Sequence, residues 1–112
     1  MKHYSIKQQW EDSVVYKHFW VTDEVLVSTL VFTHYNNDDA VNISGVYVHE
    51  DYRQKGIATM MFETLDKDTP HCLEVRRDNL QAIKLYEKLG FHYWQESDNN
   101  MIWMKDFKYS KK

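Results

Sequence analysis

The sequence predicts an α+β domain built on one central sheet. Before residue 50 the apolar residues fall in β-branched and aromatic runs, and after Gly56 they recur at helical spacing. The second half then alternates strand-like and helix-like stretches, the pattern of strands that feed helices across a sheet face. The 112 residues fit one domain, 1–112. A hydrophobic content of 43%, with four Trp and eight Tyr, supplies the material for a core.

"HYSIKQQW" (3–10) is a candidate edge strand. "DSVVYKHFWV" (12–21) and "EVLVSTLVFTHY" (24–35) are strands joined by the short link Thr22–Asp23, which suggests a hairpin. "NNDD" (36–39) is a turn signal, and "AVNISGVYV" (40–48) is the next strand. The first half therefore reads as an antiparallel meander. Ile57, Met60, Met61, Thr64 and Leu65 then keep a helical period, which "DKDTP" ends. "HCLEV" (71–75) is a short strand. "DNLQAIKLYEKLGF" is a second helix, with Asp78 or Asn79 as N-cap and Ala82, Leu85, Tyr86 and Leu89 as its buried stripe. Gly90 stands where a left-handed C′ residue is wanted, and Phe91 supplies the hydrophobic contact after it. Strands at 91–96 and 100–107, split by "SDNN", close the chain, and the basic tail "KDFKYSKK" is expected to be disordered.

Composition narrows the function classes. A net charge of −3 speaks against a nucleic-acid binder. No apolar run is long enough to span a membrane, and "MKHYSIKQQW" is too polar for a secretory signal. Cys72 is the single cysteine, so no internal disulfide forms and no oxidising compartment is indicated. The expectation is a soluble cytoplasmic protein without nucleic-acid or membrane partners. The six histidines show no metal-ligand spacing, and Cys72 sits in a central strand, where cysteine behaves as a small buried apolar residue.

The chemistry concentrates in "VYVHEDYRQKGIATMMFETL" (46–65), where a strand runs through a charged loop into a helix. Backbone N–H groups at such an entry have no intrahelical partner and favour anions, phosphate above all. Gly56 lets the chain curl so that these groups converge, Arg53 and Lys55 add charge, and Thr59 offers a hydroxyl. Taken alone, a glycine in a turn and two surface cations are ordinary. Neither G-x-G-x-x-G nor G-x-x-x-x-G-K-[ST] occurs.

"VYVHEDYRQKGIA" resembles the cofactor-binding motif of the GNAT superfamily of N-acetyltransferases, [QR]-x-x-G-x-[GA], with Arg53, Gly56 and Ala58 in its defined places. "LEVRRDNLQAIKLYEKLGF" resembles that family's second block, a strand followed by N-x-x-A-x-x-x-Y and G-F, matched by Asn79, Ala82, Tyr86, Gly90 and Phe91. The resemblance covers residues 40–107 and implies a GNAT-like fold: a mixed, mostly antiparallel sheet with two main helices and one parallel strand pair, 40–48 and 71–75, splayed apart. It implies acetyl-coenzyme A as co-substrate, without metal, and transfer of the acetyl group to a primary amine by direct attack in a ternary complex. The N–H groups of Gln54, Lys55, Gly56, Ile57, Ala58 and Thr59, beside Arg53, would hold the pyrophosphate. The strand at Val46 and Val48 would pair with the pantetheine arm, a bulge N–H there would polarise the thioester carbonyl, Asn79 would bond the pantetheine, and Tyr86 would protonate the departing thiolate. Read without the motif, Tyr86 is a core aromatic and Asn79 a plain N-cap.

The chain departs from the family in its front half, where the two helices that usually wall the acceptor site are missing. An open acceptor side suits a macromolecular acceptor or completion by a second copy in a homodimer. The family's usual place for a general base falls on Asn42, with Ser44 one step along the same face, and neither is a base. His49, Glu50, His34 and Glu24 are nearby and read as surface residues. A site without a strong base leans toward α-amines, whose pKa near 7.7–8.0 leaves roughly a tenth neutral at pH 7, against almost none of a lysine near 10.4. Arg76 and Arg77 could reach the cofactor's 3′-phosphate, though a solvated loop is their ordinary reading. The alternative to an enzyme is a catalytically inactive module that binds coenzyme A or a protein.

Overall fold

The computed structural model describes residues 1–66 and 68–106. Its strands are β1 (Lys2–Gln9), β2 (Ser13–Thr22), β3 (Val25–Tyr35), β4 (Val41–Val48), β5 (His71–Arg76), β6 (Phe91–Glu96) and β7 (Met101–Asp106). They form one sheet in the order β1-β2-β3-β4-β5-β7-β6, antiparallel throughout except for β4 beside β5. The α-helices are α1 (Ile57–Phe62) and α2 (Leu80–Lys88), and a 3₁₀ turn spans Glu50–Tyr52. Among the described residues before Glu50 there is no helix, so the front half is the meander that its β-branched runs dictate.

Cross-strand register separates the two faces of the sheet. Ile43, Leu73 and Met104 lie side by side on one face, and there they join Trp20, Leu30, Val75 and Ile102 in the core. Met61 and Phe62 of α1, Tyr86 of α2 and Phe91 complete that core, so both helices cover the same face. Phe62, Tyr86 and Phe91 meet with ring centroids 5.9–6.3 Å apart, within the range of favourable aromatic pairs. The opposite face presents Asn42, Cys72 and Lys105 in one row and Glu74 beside Trp103 in the next. No helix covers it among the described residues. Among the described residues no helix is long and apolar enough to cross a membrane.

The helical period read through Thr64 and Leu65 overshoots, because α1 stops at Phe62. The Thr64 hydroxyl donates to the Met61 carbonyl at 2.6 Å, and the Thr64 and Leu65 N–H groups turn to carbonyls three residues back. That tightening ends the helix, although Leu65 still packs on the core. The closing strand expected at 100–107 is β7, and it takes in Lys105 and Asp106, which also head the tail expected to be disordered; they pair with β5 and β6. The rest of that tail and Phe107 lie outside the described residues, as does Lys67.

β4 carries a bulge. Thr29 pairs with Tyr47 and Val31 with Ser44, so Gly45 and Val46 together oppose Leu30. This irregularity, expected near Val46–Val48, begins one residue earlier, at the glycine. Gly45 has φ 59°, and a Cβ there would come within 2.8 Å of Val31 Cγ2. Val31 is β-branched and cannot swing away freely. Gly45→Ala is therefore expected to lower unfolding free energy by about 2–3 kcal/mol, from left-handed strain and the clash together. Urea denaturation measures it, and an unchanged midpoint would contradict the bulge.

Candidate functional site

The parallel pairing of β4 with β5 is short. It runs through Val41↔His71, Asn42↔Cys72 and Ile43↔Leu73 and then stops. Beyond that point the strands diverge, as the resemblance implies for 40–48 and 71–75. A cleft of about 670 Å³ lies alongside, lined by Val46–Val48 of β4, the loop from Tyr52 to Thr59 except Lys55, and the face of α2 carrying Asn79, Ala82, Leu85 and Tyr86.

The loop supplies the polar floor. Gln54 and Gly56 both adopt left-handed conformations, φ 61° and 79°, on either side of Lys55. Among the described residues no acceptor meets the N–H groups of Gln54 through Thr59, while the next one, Met60, bonds to the Gly56 carbonyl at 3.0 Å. Consecutive N–H groups left free around left-handed residues form a concavity suited to an anion. At Gly56 a Cβ would meet nothing within 4 Å, so the space there is open. Arg53 lines the cleft and its Nε donates to the Val48 carbonyl at 2.9 Å, tying loop to strand. Lys55 does not line the cleft, and its ammonium lies 5.8 Å from the ring centroid of Tyr52 at the cleft's rim. Ile57, Ala58 and Thr59 line the cleft as well. The chemistry of this donor set fits a diphosphate.

On the other wall, Asn79 is the N-cap of α2 and settles the choice left open with Asp78. Its Oδ1 accepts from the Ala82 N–H at 3.1 Å, while Asp78 forms a two-pronged pair with Arg76. With Oδ1 committed to the helix, the Asn79 amide has its N–H₂ donors left for a ligand. This separates two variants. Asn79→Ala is expected to cost about 1 kcal/mol of stability through the lost cap and to weaken coenzyme A binding. Asn79→Asp keeps the capping oxygen and should weaken binding at near-native stability. Thermal melts and calorimetric titration of both distinguish the roles.

Tyr86 is buried on the stripe of α2 and also lines the cleft. Burial pushes its phenol above the ordinary 10, so it is protonated at neutral pH. Its hydroxyl has no hydrogen-bond partner among the described residues and is not one of the fully buried unpartnered polar atoms, so it is open to the cleft.

Sequence reasoning missed several residues here. Tyr47, Tyr52, Gln81, Leu85 and Lys88 also line the cleft. Outside that lining, Glu74 is the first β5 residue past the last paired rung. It is exposed on the helix-free face, across the divergence from Ser44, and accepts a hydrogen bond from the Ser97 hydroxyl. Asn42 and Ser44 do share a face, as counted, and neither is basic. Of the other candidates, His49 accepts from the Asp51 N–H through Nδ1 at the start of the 3₁₀ turn, and Glu24, His34 and Glu50 are exposed. Cys72 is buried with its thiol pushed up to about 11, chiefly by burial, which disfavours the thiolate a nucleophile needs. Among the described residues no group of three His, Cys, Asp or Glu side chains could hold a metal ion.

Residues 1–91 match the model of the Acetyltransferase (GNAT) family. An N-alpha-acetyltransferase of Saccharolobus solfataricus is 42% identical over 57 residues, 45% of this chain and 34% of that protein. The chain thus spans about a third of the length of this curated relative. Among solved structures, a spermidine N-acetyltransferase mutant from Vibrio cholerae superposes with TM-score 0.66 at 19% identity, covering 85% of this chain and 68% of the other. A PaiA N-acetyltransferase from Thermoplasma acidophilum, in complex with coenzyme A, does so with TM-score 0.66 at 18% identity, covering 85% and 60%. At these identities the likeness establishes the fold.

Proposed function

The chain belongs to the GNAT acetyltransferase family, and from that premise we propose that it is an N-acetyltransferase passing an acetyl group from acetyl-coenzyme A directly to a primary amine. The observation that carries the reading is Tyr86: a protonated, partnerless hydroxyl facing a cleft whose far end is a row of free backbone N–H groups. Acetyl-coenzyme A, when bound, supplies the activated thioester.

The chain's own residues divide the remaining work. The N–H groups of residues 54–59, with Arg53, hold the diphosphate; the β4 edge at Val46–Val48 pairs with the pantetheine amides; and the Asn79 amide donates to a pantetheine carbonyl. A backbone N–H at the Gly45–Val46 bulge offers a hydrogen bond where negative charge develops on the carbonyl oxygen. Tyr86 gives its proton to the departing sulfur. Glu74 draws the ammonium of the acceptor to the divergence of β4 and β5 and takes up its proton. The presence of that carboxylate removes the argument for α-amines drawn from a missing base. An α-amine remains the favoured acceptor because the N-alpha-acetyltransferase relative is so named.

The test is release of free thiol from acetyl-coenzyme A with three acceptors: a peptide with a free amino terminus, an amino-blocked peptide carrying lysine, and spermidine. Turnover is expected, fastest on the free amino terminus. Coenzyme A binding with no thiol release from any of them would reduce the chain to a binding module. Glu74→Gln is expected to cut kcat by about a hundredfold while coenzyme A affinity stays level. An unchanged kcat would remove Glu74 from the mechanism.

A further inference from the structure

The divergence of β4 and β5 opens onto the face of the sheet that no helix covers among the described residues, and that face is not uniformly polar. From the opening, cross-strand pairing sets one row over the sheet, Ser44↔Val31↔Lys17↔Ile6, and beside it a second, Tyr47↔Thr29↔Phe19↔Tyr4. Tyr4, Ile6 and Tyr47 are 54%, 50% and 40% exposed. Lys17 is the cation in this patch. Its neighbours on the face are Ile6, Val15, Phe19 and Val31, and no carboxylate pairs with it among the described residues. A small amine at Glu74 would find no enclosing wall, whereas small-ligand sites bury most of their ligand. An extended chain crossing the rows would gain apolar contact along its length.

We propose that the acceptor is a polypeptide whose amino terminus sits beside Glu74, whose backbone crosses β4 and β3 over Ser44 and Val31, and whose acidic side chain pairs with Lys17. The proposal rests on the N-acetyltransferase reading and adds the acceptor's chemistry to it. Two paired spacings, β4–β3 and β3–β2, and the wider gap between β5 and β4 separate Glu74 from β2, so the span exceeds about 14 Å, the length of about four extended residues. The acidic residue therefore falls at about the fifth position from the amine, with the fourth as the shortest reach.

The test is kcat/KM on peptides with a free α-amine that differ only in carrying Glu, Gln or Lys at positions four and five, alongside a free amino-acid amide. Wild type is expected to prefer Glu over Lys by about five- to tenfold and either peptide over the amide. Lys17→Glu should reverse the order while leaving coenzyme A affinity and turnover of the amide unchanged. Equal rates across the wild-type peptide series, or an amide as good as the peptides, would overturn the proposal with the enzymatic reading intact. No thiol release from any acceptor would overturn that reading and this one with it. The wild-type series decides the matter even if Lys17→Glu folds poorly.

Discussion

Tyr86→Phe is expected to lower kcat by about 10²- to 10⁴-fold, the usual contribution of a positioned general acid, with coenzyme A affinity nearly unchanged. Phenylalanine keeps the ring that packs on Phe62 at 5.9 Å and on Phe91 at 6.3 Å, so the aromatic core should survive. What is lost is a hydroxyl that bonds to no described residue and opens to the cleft, so folding stability should hold. The pH dependence follows from the direction of the shift. A phenol donates only in its protonated form, and burial moves its titration above 10. Tyr86 thus imposes no alkaline loss of kcat between pH 7 and 9. Steady-state rates with a saturating acceptor over that range test both points. A variant retaining more than about a tenth of wild-type kcat would assign the proton to another group or to water.

How much of this was legible in the chain depends on whether the signal was local. Gly90, at φ 102°, and the Asn79 cap were readable because capping is decided within a few residues. The loop at Gly56 was readable for the same reason. Glu74 was not. In "LEV" it alternates with two buried apolar residues, as any solvent-facing strand residue does. It gains its position only because β5 lies beside β4 and their pairing stops at Leu73, a contact between segments about thirty residues apart. The length of α1 was misjudged for a different reason. Thr64 fits the helical period, but its hydroxyl competes for the Met61 carbonyl, and a period counts positions without weighing such competition. Lys55 reads as a flanking cation beside Gly56, yet the folded loop leaves it out of the cleft lining, with its ammonium 5.8 Å from the Tyr52 ring centroid.

Gly56→Asp should raise the dissociation constant for coenzyme A by about a hundredfold or more, and the glycine's surroundings explain why the loss belongs to binding rather than folding. Its φ of 79° is left-handed, which costs most L-residues roughly 1–2 kcal/mol but which Asp tolerates better than most. No atom lies within 4 Å of the added Cβ, so there is no clash to relieve. The carboxylate would enter the cleft among the free N–H groups of residues 54–59 and satisfy donors that a diphosphate would otherwise use. It would also stand a few ångströms from the ligand's own negative charges. At 4 Å two like charges repel by about 4 kcal/mol at an effective dielectric of 20 and by about 1 kcal/mol in water, and a hundredfold change lies inside that interval. Gly56→Ala carries the backbone strain without the charge, so it should weaken binding by no more than about tenfold. Calorimetric titration of coenzyme A into the three proteins separates strain from charge. If the aspartate variant binds as tightly as wild type, the diphosphate does not sit at this turn, and the roles assigned to Asn79 and Tyr86 lose the anchor that brings a thioester to them.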